Sequence, residues 1–378
     1  KKARSLIQEA VQPGVLQNIV EQEIHSIIAS AFNAQLISER DQILGRDPYE
    51  RRDGSVFRNG FKATTVPGIS GPMILRRPVT RKGTLHLPFL AAIRQAGKQL
   101  GHTLAMVFWM RGASTRAVAE EINDTLGTKL QHSTVSQLTN AIEPQLREWE
   151  SRPLPAGILY LFIDALYLPV RRPGFTSKQA ILAALGIDDN RRCHFLGFHL
   201  GDRESEDAWS SFIQNLLARG LVRDTLHLVI SDEHKGIEAA VSKCLAVPHQ
   251  LCIVHKMRNV MHRVAAPDKP LFLKDFKAIF WAPNREVARQ ALGRLEVRWG
   301  KAYPKAVQLT LSRFDDFARF FNESCEYWTV LRSTNLIERF NLELRRRLRA
   351  AGTMHSELEV TKLIWAVSSA QEQRWAKR

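Results

Sequence analysis

The stretch that decides the fold is Ile158–Val170, which reads ILYLFIDALYLPV. It is apolar at almost every position and rich in residues that favour strands, so it does not have the pattern of a surface helix. A short, nearly continuous apolar run is typical of a strand buried on both faces. We therefore predict a central strand here, with Asp164 in its middle.

Further strands and helices follow in the sequence. Between the later strands lie two amphipathic segments, one carrying Trp209 on its apolar stripe and one starting near Lys235, which predict helices. Three strands followed by alternating helix and strand predict an α/β fold, a mixed sheet with helices on its faces. The other predicted strands are Gln179–Gly186, Cys193–Leu200, Leu226–Ile230 and a last one around Gln250–Val254.

Two carboxylates belong to these strands. Asp164 stands inside the apolar run, where an ionised side chain is costly unless it is paired, hydrogen-bonded or bound to a metal. Asp232 follows the strand that ends in Ile230, where a carboxylate can emerge at the sheet edge. An aspartate after a strand is often only a turn or cap residue. Two acids on adjacent strands, however, can together bind a hard divalent cation such as Mg²⁺.

A third candidate acid, Glu338, lies in the segment RSTNLIERFN at 332–341. Ser333 or Thr334 is expected to cap a helix, which puts Glu338 in its first or second turn. A solvated Glu beside Arg is commonplace, so this residue carries little weight alone. The helix continues into a basic stretch that can follow a phosphate backbone. The DNA contacts predicted on it are Arg339, Asn341, Arg345, Arg346, Arg347 and Arg349.

The composition indicates a folded protein with a polyanionic partner. The 378 residues include 54 Lys and Arg against 38 Asp and Glu, which gives a net charge of +16, and 44% are hydrophobic. This excludes wholesale disorder and collagen-like repeats. The charge favours nucleic acid over an anionic membrane surface, because no basic amphipathic helix or lipidation signal accompanies it. No apolar run is long enough to span a bilayer.

Cysteine usage and the start of the sequence bear on location. Four cysteines are too few for a disulfide framework, and no signal segment opens the sequence, so we expect a reducing cytoplasm. The sequence begins with Lys1 and not with Met, and we expect further residues to precede it.

The first 150 residues read as helical segments around a basic arm. Residues 1–45 have apolar positions at helical spacing, which predicts packing or self-association, and 45–83 is rich in Arg, Gly and Pro, typical of a basic arm or small β-ribbon. Two short segments then predict a helix-turn-helix, the first capped by Ser114 and Thr115 and the second by Ser133. A plain pair of packed helices would show the same spacing. The predicted contacts with base edges or phosphates are His132, Ser136, Gln137 and Asn140.

Four of these motifs together resemble the mutator-type transposases of bacterial insertion sequences. They are LFIDALYLPVR around Asp164, LVISDEHKGIEAAV around Asp232, HQLCIVHKMRNV at 249–260, and RSTNLIERFNLELRRRLRAAGTM around Glu338. The resemblance extends from about Phe57, through the two short helices, to the basic C-terminal helix.

The resemblance implies an RNase H-like catalytic domain with a DDE triad. Asp164 would lie on the first strand, Asp232 after the fourth and Glu338 on a late helix, with two Mg²⁺ ions, replaceable by Mn²⁺, bound to the three acids. These would cleave phosphodiester bonds and join the freed 3′-hydroxyl to target DNA. An all-helical insertion would explain why 106 residues separate Asp232 from Glu338.

The same resemblance implies the organisation and the partners of the chain. The partner is double-stranded DNA, both the terminal inverted repeats of the element and the target, bound by a homodimer in the bacterial cytoplasm with the nucleoid. No membrane is involved. The predicted domains are an N-terminal helical segment with a basic arm (1–85), a helix-turn-helix-like domain (86–152), the first part of the catalytic core (153–256), the insertion (257–330) and the C-terminal helices (331–378).

Two features leave alternatives open. His249, Cys252 and His255 form His-x2-Cys-x2-His, but a structural zinc takes four ligands and no second pair stands at suitable spacing. The resemblance implies instead a Cys-x-x-His signature near the active site, with Cys252, His255 and Lys256 at the DNA, and a purely structural Cys and His fit as well. Tyr327 and Trp328 are the predicted candidates for stacking on an unpaired base, with most other aromatics of the insertion in the core.

Two other functions fit the same residues. One is a DNA-binding protein derived from a transposase that no longer cuts. The other is an RNase H-like nuclease that cuts without joining strands.

Overall fold

The computed structural model describes residues 13–45, 57–68, 71–111, 113–172, 175–201, 203–351 and 356–377. The chain divides into two compact units, Lys1–Ile142 and Glu143–Arg378. None of the described helices is long and apolar enough to cross a membrane.

The first described element of the first unit is a long helix that packs on a two-stranded antiparallel hairpin. Leu36 of the helix shares one apolar cluster with Val66 and Leu75 of the hairpin. The side-chain oxygen of Asn33 accepts a hydrogen bond from the main-chain N–H of Arg76 at 2.7 Å. The hairpin agrees with the ribbon predicted in 45–83, whereas residues 1–12 and 46–56 lie outside the described residues. The elements are α1 (Pro13–Leu44), β1 (Arg58–Val66) and β2 (Met73–Thr80).

Three further helices of this unit form a second apolar cluster. Ser114 caps the middle one as predicted, since its hydroxyl accepts from the N–H of Ala117 at 3.2 Å. The cap predicted at Ser133 is wrong, because the last helix already begins at His132, with Gln131 in the cap position. The helices are α2 (Pro88–Met110), α3 (Thr115–Leu126) and α4 (His132–Asn140).

The second unit is built on a five-stranded mixed sheet with the order β5-β4-β3-β6-β7. β4 runs antiparallel to both β3 and β5, whereas β6 is parallel to β3 and to β7. The mixed sheet expected from the sequence is therefore present. Its strands are β3 (Ile158–Arg172), β4 (Phe175–Asp188), β5 (Cys193–Gly201), β6 (Leu228–Ser231) and β7 (His249–Leu251).

Alternate residues of β3 are buried on opposite faces of the sheet, as the apolar run predicted. Leu161 and Ile163 pack in one cluster with α6 (Glu206–Ala218) and α7 (Lys235–Cys244), where Trp209 is fully buried. Phe162 and Leu166 pack in a second cluster with the later helices. Helices therefore cover both faces of the sheet.

The described residues after β7 are mainly helical, as expected for 257–330. The last predicted strand, however, is wrong at its end, since β7 stops at Leu251 and Ile253 already begins a helix. Ile253 is fully buried in the cluster with the later helices, so its apolar character reflects helix packing. These helices are α8 (Ile253–Met261), α9 (Lys269–Phe280), α10 (Arg285–Trp299), α11 (Pro304–Leu311), α12 (Phe314–Phe317), α13 (Trp328–Leu331), α14 (Asn335–Ala351) and α15 (Glu357–Trp375), while α5 (Glu143–Ser151) precedes the sheet.

Candidate active site

The three predicted acids line one pocket of about 500 Å³ in the second unit. Asp164 comes from β3, Asp232 follows β6, and Glu338 lies in the first turn of α14. The pocket thus joins residues separated by 68 and 106 positions in the sequence. Its other lining residues are Ala165, His255, Arg258, Asn335, Arg339, Asn341, Leu342 and Arg345.

The strand register explains why the two aspartates meet. In the parallel pair of β3 and β6, Phe162 stands opposite Ile230. Asp164 and Asp232 each follow two residues later, so both lie at the carboxyl end of this strand pair. Glu338 reaches them because α14 packs through Ile337 into the same apolar cluster that receives Phe162 of β3.

Thr334 connects two of the acids just before α14. Its hydroxyl oxygen lies 2.9 Å from Oε1 of Glu338 and 3.2 Å from Oδ1 of Asp232, so its proton can be donated to either carboxylate. The same hydroxyl lies 3.3 Å from Sγ of Cys252, which also accepts from the Thr334 main-chain N–H at 3.4 Å. Thr334 and Cys252 are both buried, so they hold the loop before α14 in place.

Asn341 was predicted as a DNA contact, but the structure places it behind Asp164. It is buried, and its Nδ2 donates to Oδ2 of Asp164 at 2.7 Å. Its Oδ1 is buried without a hydrogen-bond partner among the described residues. The reason is helical spacing, since Asn341 lies near the buried stripe of α14 and not on its outer face.

His255 and Arg258 of α8 approach the acids from the other side. Nδ1 of His255 lies 2.5 Å from Oδ1 of Asp232, and Nε2 lies 3.7 Å from Oε1 of Glu338. In the guanidinium of Arg258, Nη1 lies 3.2 Å from Nε2 of His255 and Nη2 lies 3.8 Å from Oε2 of Glu338. Sequence reasoning missed Arg258, although its spacing of three residues after His255 puts both on one helix face.

Burial and mutual repulsion set the charges in the pocket. Burial in the pocket floor, followed by the charge of Asp232, raises the pKa of Asp164 from 3.8 to about 7, although the bond from Asn341 opposes this. Hydrogen bonding to Asp232, then to Cys252, raises the pKa of His255 to about 10, so this imidazole is cationic at neutral pH. The carboxylates therefore repel one another, and cationic groups from α8 partly balance them.

Lys256 does not fit the predicted contact with DNA. Only 2% of it is exposed, and its ammonium donates to the main-chain oxygen of Ser312 and lies 3.9 Å from the ring centroid of Phe317. Successive helix residues point about 100° apart, so His255 faces the acids while Lys256 faces the helical insertion. Cys252 is likewise buried and not available to DNA.

The three residues of the His-x2-Cys-x2-His motif, His249, Cys252 and His255, do not come together as a zinc site. Nε2 of His249 lies 2.8 Å from the hydroxyl of Ser231, and burial lowers the pKa of His249 to about 4. Among the described residues, the donor atoms that lie within 4.8 Å of one another belong to Asp232, Cys252 and His255, without His249.

The remaining predicted DNA contacts fall into three groups. On α14, Arg339, Arg345, Arg346 and Arg349 are exposed, whereas Arg347 is mostly buried and bonded to Glu343. On α4 of the first unit, all four predicted side chains are exposed. Trp328 is half-buried at the edges of the Phe320 and Phe321 rings, and its indole N–H donates to the main-chain oxygen of Glu323.

Comparison with known proteins identifies similar chains along the whole length. Residues 2–378 match the family model described as "Transposase, Mutator family". The chain is 29% identical to the transposase for insertion sequence element IS256 in transposon Tn4001 of Staphylococcus aureus, over 98% of this chain and 95% of the relative. It is 31% identical to the transposase for insertion sequence element IS406 of Burkholderia multivorans, over 89% and 87% of the two chains. The transposase for insertion sequence element IS905 of Lactococcus lactis is 29% identical over 87% of this chain and 83% of the relative.

Proposed function

The chain belongs to the Mutator family of transposases, and we propose that its acid pocket cuts DNA at the ends of an insertion sequence and joins them to target DNA. The observation that carries this proposal is the convergence of Asp164, Asp232 and Glu338 from three separate elements on one pocket. An acid that served only as a turn residue or a helix cap would not need two other acids beside it. Arginines beside the acids give the pocket a rim suited to phosphate.

We assign the second unit to the RNase H-like fold. In chain order its strands are arranged 3-2-1-4-5, the second antiparallel to the first and the fourth and fifth parallel to it. Helices cover both faces, and we take the helical residues 257–330 as the insertion. These features support the assignment and account for the long interval between Asp232 and Glu338.

The donor set fits Mg²⁺. Carboxylate oxygens are the ligands that this hard cation prefers. Burial first, and then the charge of Asp232, raises the pKa of Asp164, and a bound cation would favour its ionised form. Asp164, Asp232 and Glu338 would hold two such ions, and we expect Mn²⁺ to substitute for Mg²⁺. When bound, such ions polarise the phosphate, make the attacking oxygen more acidic and stabilise the leaving oxygen.

The protein's own residues orient the reacting groups. Asn341 holds the Asp164 carboxylate in place, and the Thr334 hydroxyl lies between Glu338 and Asp232, so the acids act from fixed positions. In this proposal the acids are metal ligands, and none of them forms a covalent intermediate. In cleavage, the oxygen of water bonds to phosphorus as the bond to the 3′ oxygen breaks, leaving a 3′-hydroxyl and a 5′-phosphate. In joining, the oxygen of that 3′-hydroxyl bonds to a phosphorus of the target DNA, and the bond from this phosphorus to the target's 3′ oxygen breaks. The proton of the attacking hydroxyl passes to the displaced oxygen or to solvent.

DNA is bound, in this proposal, by exposed basic residues of α14 and by the polar face of α4. Arg345 and Arg349 are exposed on α14 and are free to follow a phosphate backbone. His132 and Gln137 of α4 offer hydrogen bonds to bases or phosphates. A homodimer that brings two element ends together follows from the reaction, which takes place in the bacterial cytoplasm on the host's DNA.

The test is a cleavage and joining assay on duplex DNA made from the sequences that flank the coding region of this chain. With Mg²⁺ or Mn²⁺ the wild type should nick and join, whereas Asp164→Asn should bind the DNA without cutting it. The matched control is Asp224→Asn, an exposed acid outside the pocket, which should behave like the wild type.

The other outcomes identify the competing functions. Cutting without joined products would make the protein a nuclease. Binding by the wild type with no cutting in either metal would make it a DNA-binding protein only, and activity retained by Asp164→Asn would remove the acid pocket from the mechanism.

A further inference from the structure

Leu342 is an exposed apolar side chain on the wall of the acid pocket. It is 66% exposed and lines the same pocket as Asp164, Asp232 and Glu338. It follows Glu338 by one helical turn, so both side chains lie on the same side of α14. Beside it on the pocket wall stands Arg345.

The packing of α14 does not explain this leucine. The helix buries one apolar stripe, formed by Ile337, Phe340, Leu344 and Leu348. At about 100° per residue, Leu342 lies about 140° around the helix from Ile337, in the middle of the polar face. It therefore belongs to no core contact of the helix and faces the space in front of the acids.

The chemistry of DNA restricts what this side chain can contact there. Phosphates are charged and hydrated, and their natural partners in the pocket are the arginines. The apolar surfaces of DNA are the base faces, which become accessible only when a base step is opened. DNA-binding proteins insert leucine and similar side chains between bases for this purpose, at the expense of stacking.

The size and depth of the pocket give a reason for opening the DNA. Asp164 is partly buried in the pocket floor, and a volume of about 500 Å³ is that of a small-molecule site. Such a pocket is large enough for a short sugar-phosphate segment and too small to enclose a duplex. A strand that separates from its complement near the cleaved phosphate can reach the acids.

We propose that Leu342 is a wedge that inserts beside the phosphate held in the acid pocket and unstacks the neighbouring base pair of the element end. This inference rests on the proposed transposase function and adds to it a residue that positions the DNA strand. Leu342 is accordingly a DNA-contacting residue without a role in bond making or breaking.

The test compares Leu342→Ala with the wild type on flanking-sequence DNA that carries 2-aminopurine beside the scissile phosphate. Without metal, the wild type should raise the fluorescence of this base on binding, because the base unstacks, and Leu342→Ala should bind without that rise. With Mn²⁺, Leu342→Ala should cut fully paired DNA about tenfold more slowly, which equals about 1.4 kcal/mol. On DNA mismatched at the same base pair it should cut as fast as the wild type.

Two further variants complete the experiment. Leu342→Met keeps an apolar side chain of similar size and should retain both signals. Val297→Ala, on α10 outside the pocket, truncates another exposed apolar side chain (87% exposed) and should change neither.

The inference is overturned if Leu342→Ala raises the fluorescence as the wild type does. It is also overturned if the cutting rate of Leu342→Ala falls by the same factor on paired and on mismatched DNA. In both cases a wild type that still cuts and joins leaves the proposed function intact. A wild type that neither binds nor cuts either DNA overturns both.

Discussion

Replacing Asp164 by Asn should stabilise the protein at pH 8 in the absence of divalent metal. Burial and the charge of Asp232 raise the pKa of Asp164 from 3.8 to about 7, so ionising this group in the folded state is costly. A rise of this size corresponds to about 4 kcal/mol at 1.36 kcal/mol per pKa unit. Since Asp164 is partly open to the solvent-filled pocket, screening reduces the cost, and we expect about 2 kcal/mol.

The sign of the pH dependence follows from the two pKa values. Below about pH 3.8 the carboxyl is protonated in the folded and the unfolded chain, and the substitution has no electrostatic effect. Between about pH 3.8 and 7 only the unfolded chain loses the proton, so the cost of ionisation grows with pH, and above 7 it is constant. The gain in the free energy of unfolding from Asp164→Asn should therefore be smaller at pH 5 than at pH 8.

Thermal unfolding at pH 5 and pH 8 in EDTA measures this difference. A gain of about 2 kcal/mol raises Tm by roughly 4–8 °C for a unit of this size. Adding Mg²⁺ at pH 8 should raise Tm of the wild type and leave the variant unchanged, and Asp224→Asn should show neither effect. An equal change in Tm at the two pH values, or a less stable variant at pH 8, would refute the reasoning.

Two other predictions concern residues around the pocket. Arg345→Ala should weaken DNA binding and reduce the slope of log K against log salt by about 1, whereas Lys256→Met should change neither, because Lys256 is buried against Phe317; fluorescence anisotropy across a salt series decides this. Thr334→Val should slow joining at least tenfold with unchanged DNA affinity, because it removes the hydroxyl between Asp232 and Glu338, and Thr334→Ser should restore most of the rate; full activity of the valine variant would contradict the role of that hydroxyl.

The sheet and two of the acids could be predicted from local sequence. Ile158–Val170 is too apolar and too strand-like to be anything but a buried strand, and a carboxylate within it needs partners. Asp232 could be predicted because it follows the end of an apolar strand. Glu338 is different, since nothing in its own helix separates it from a solvated surface acid, and only resemblance to a family singled it out.

The contacts within the pocket could not be predicted, because they join residues far apart in the chain. Thr334 meets Cys252 across 82 positions, and Asn341 meets Asp164 across 177. Adjacent residues were also misleading, since Lys256 follows His255 in the sequence but points into the helical insertion. The strand predicted to reach Val254 failed for a similar reason, because apolar residues of a buried helix and of a short strand look alike.

In the proposed function, Asp164, Asp232 and Glu338 act as one catalytic unit on DNA. The most direct measurement is the joining rate of Asp164→Asn, Asp232→Asn, Glu338→Gln and the double variant Asp164→Asn with Glu338→Gln, all at saturating DNA. When residues act as a unit, losing one of them removes the rate enhancement, and losing a second has little further effect. The joining rate of each single variant should therefore fall to background, and the double variant should be no slower. Joining by Glu338→Gln at close to the wild-type rate would contradict the account.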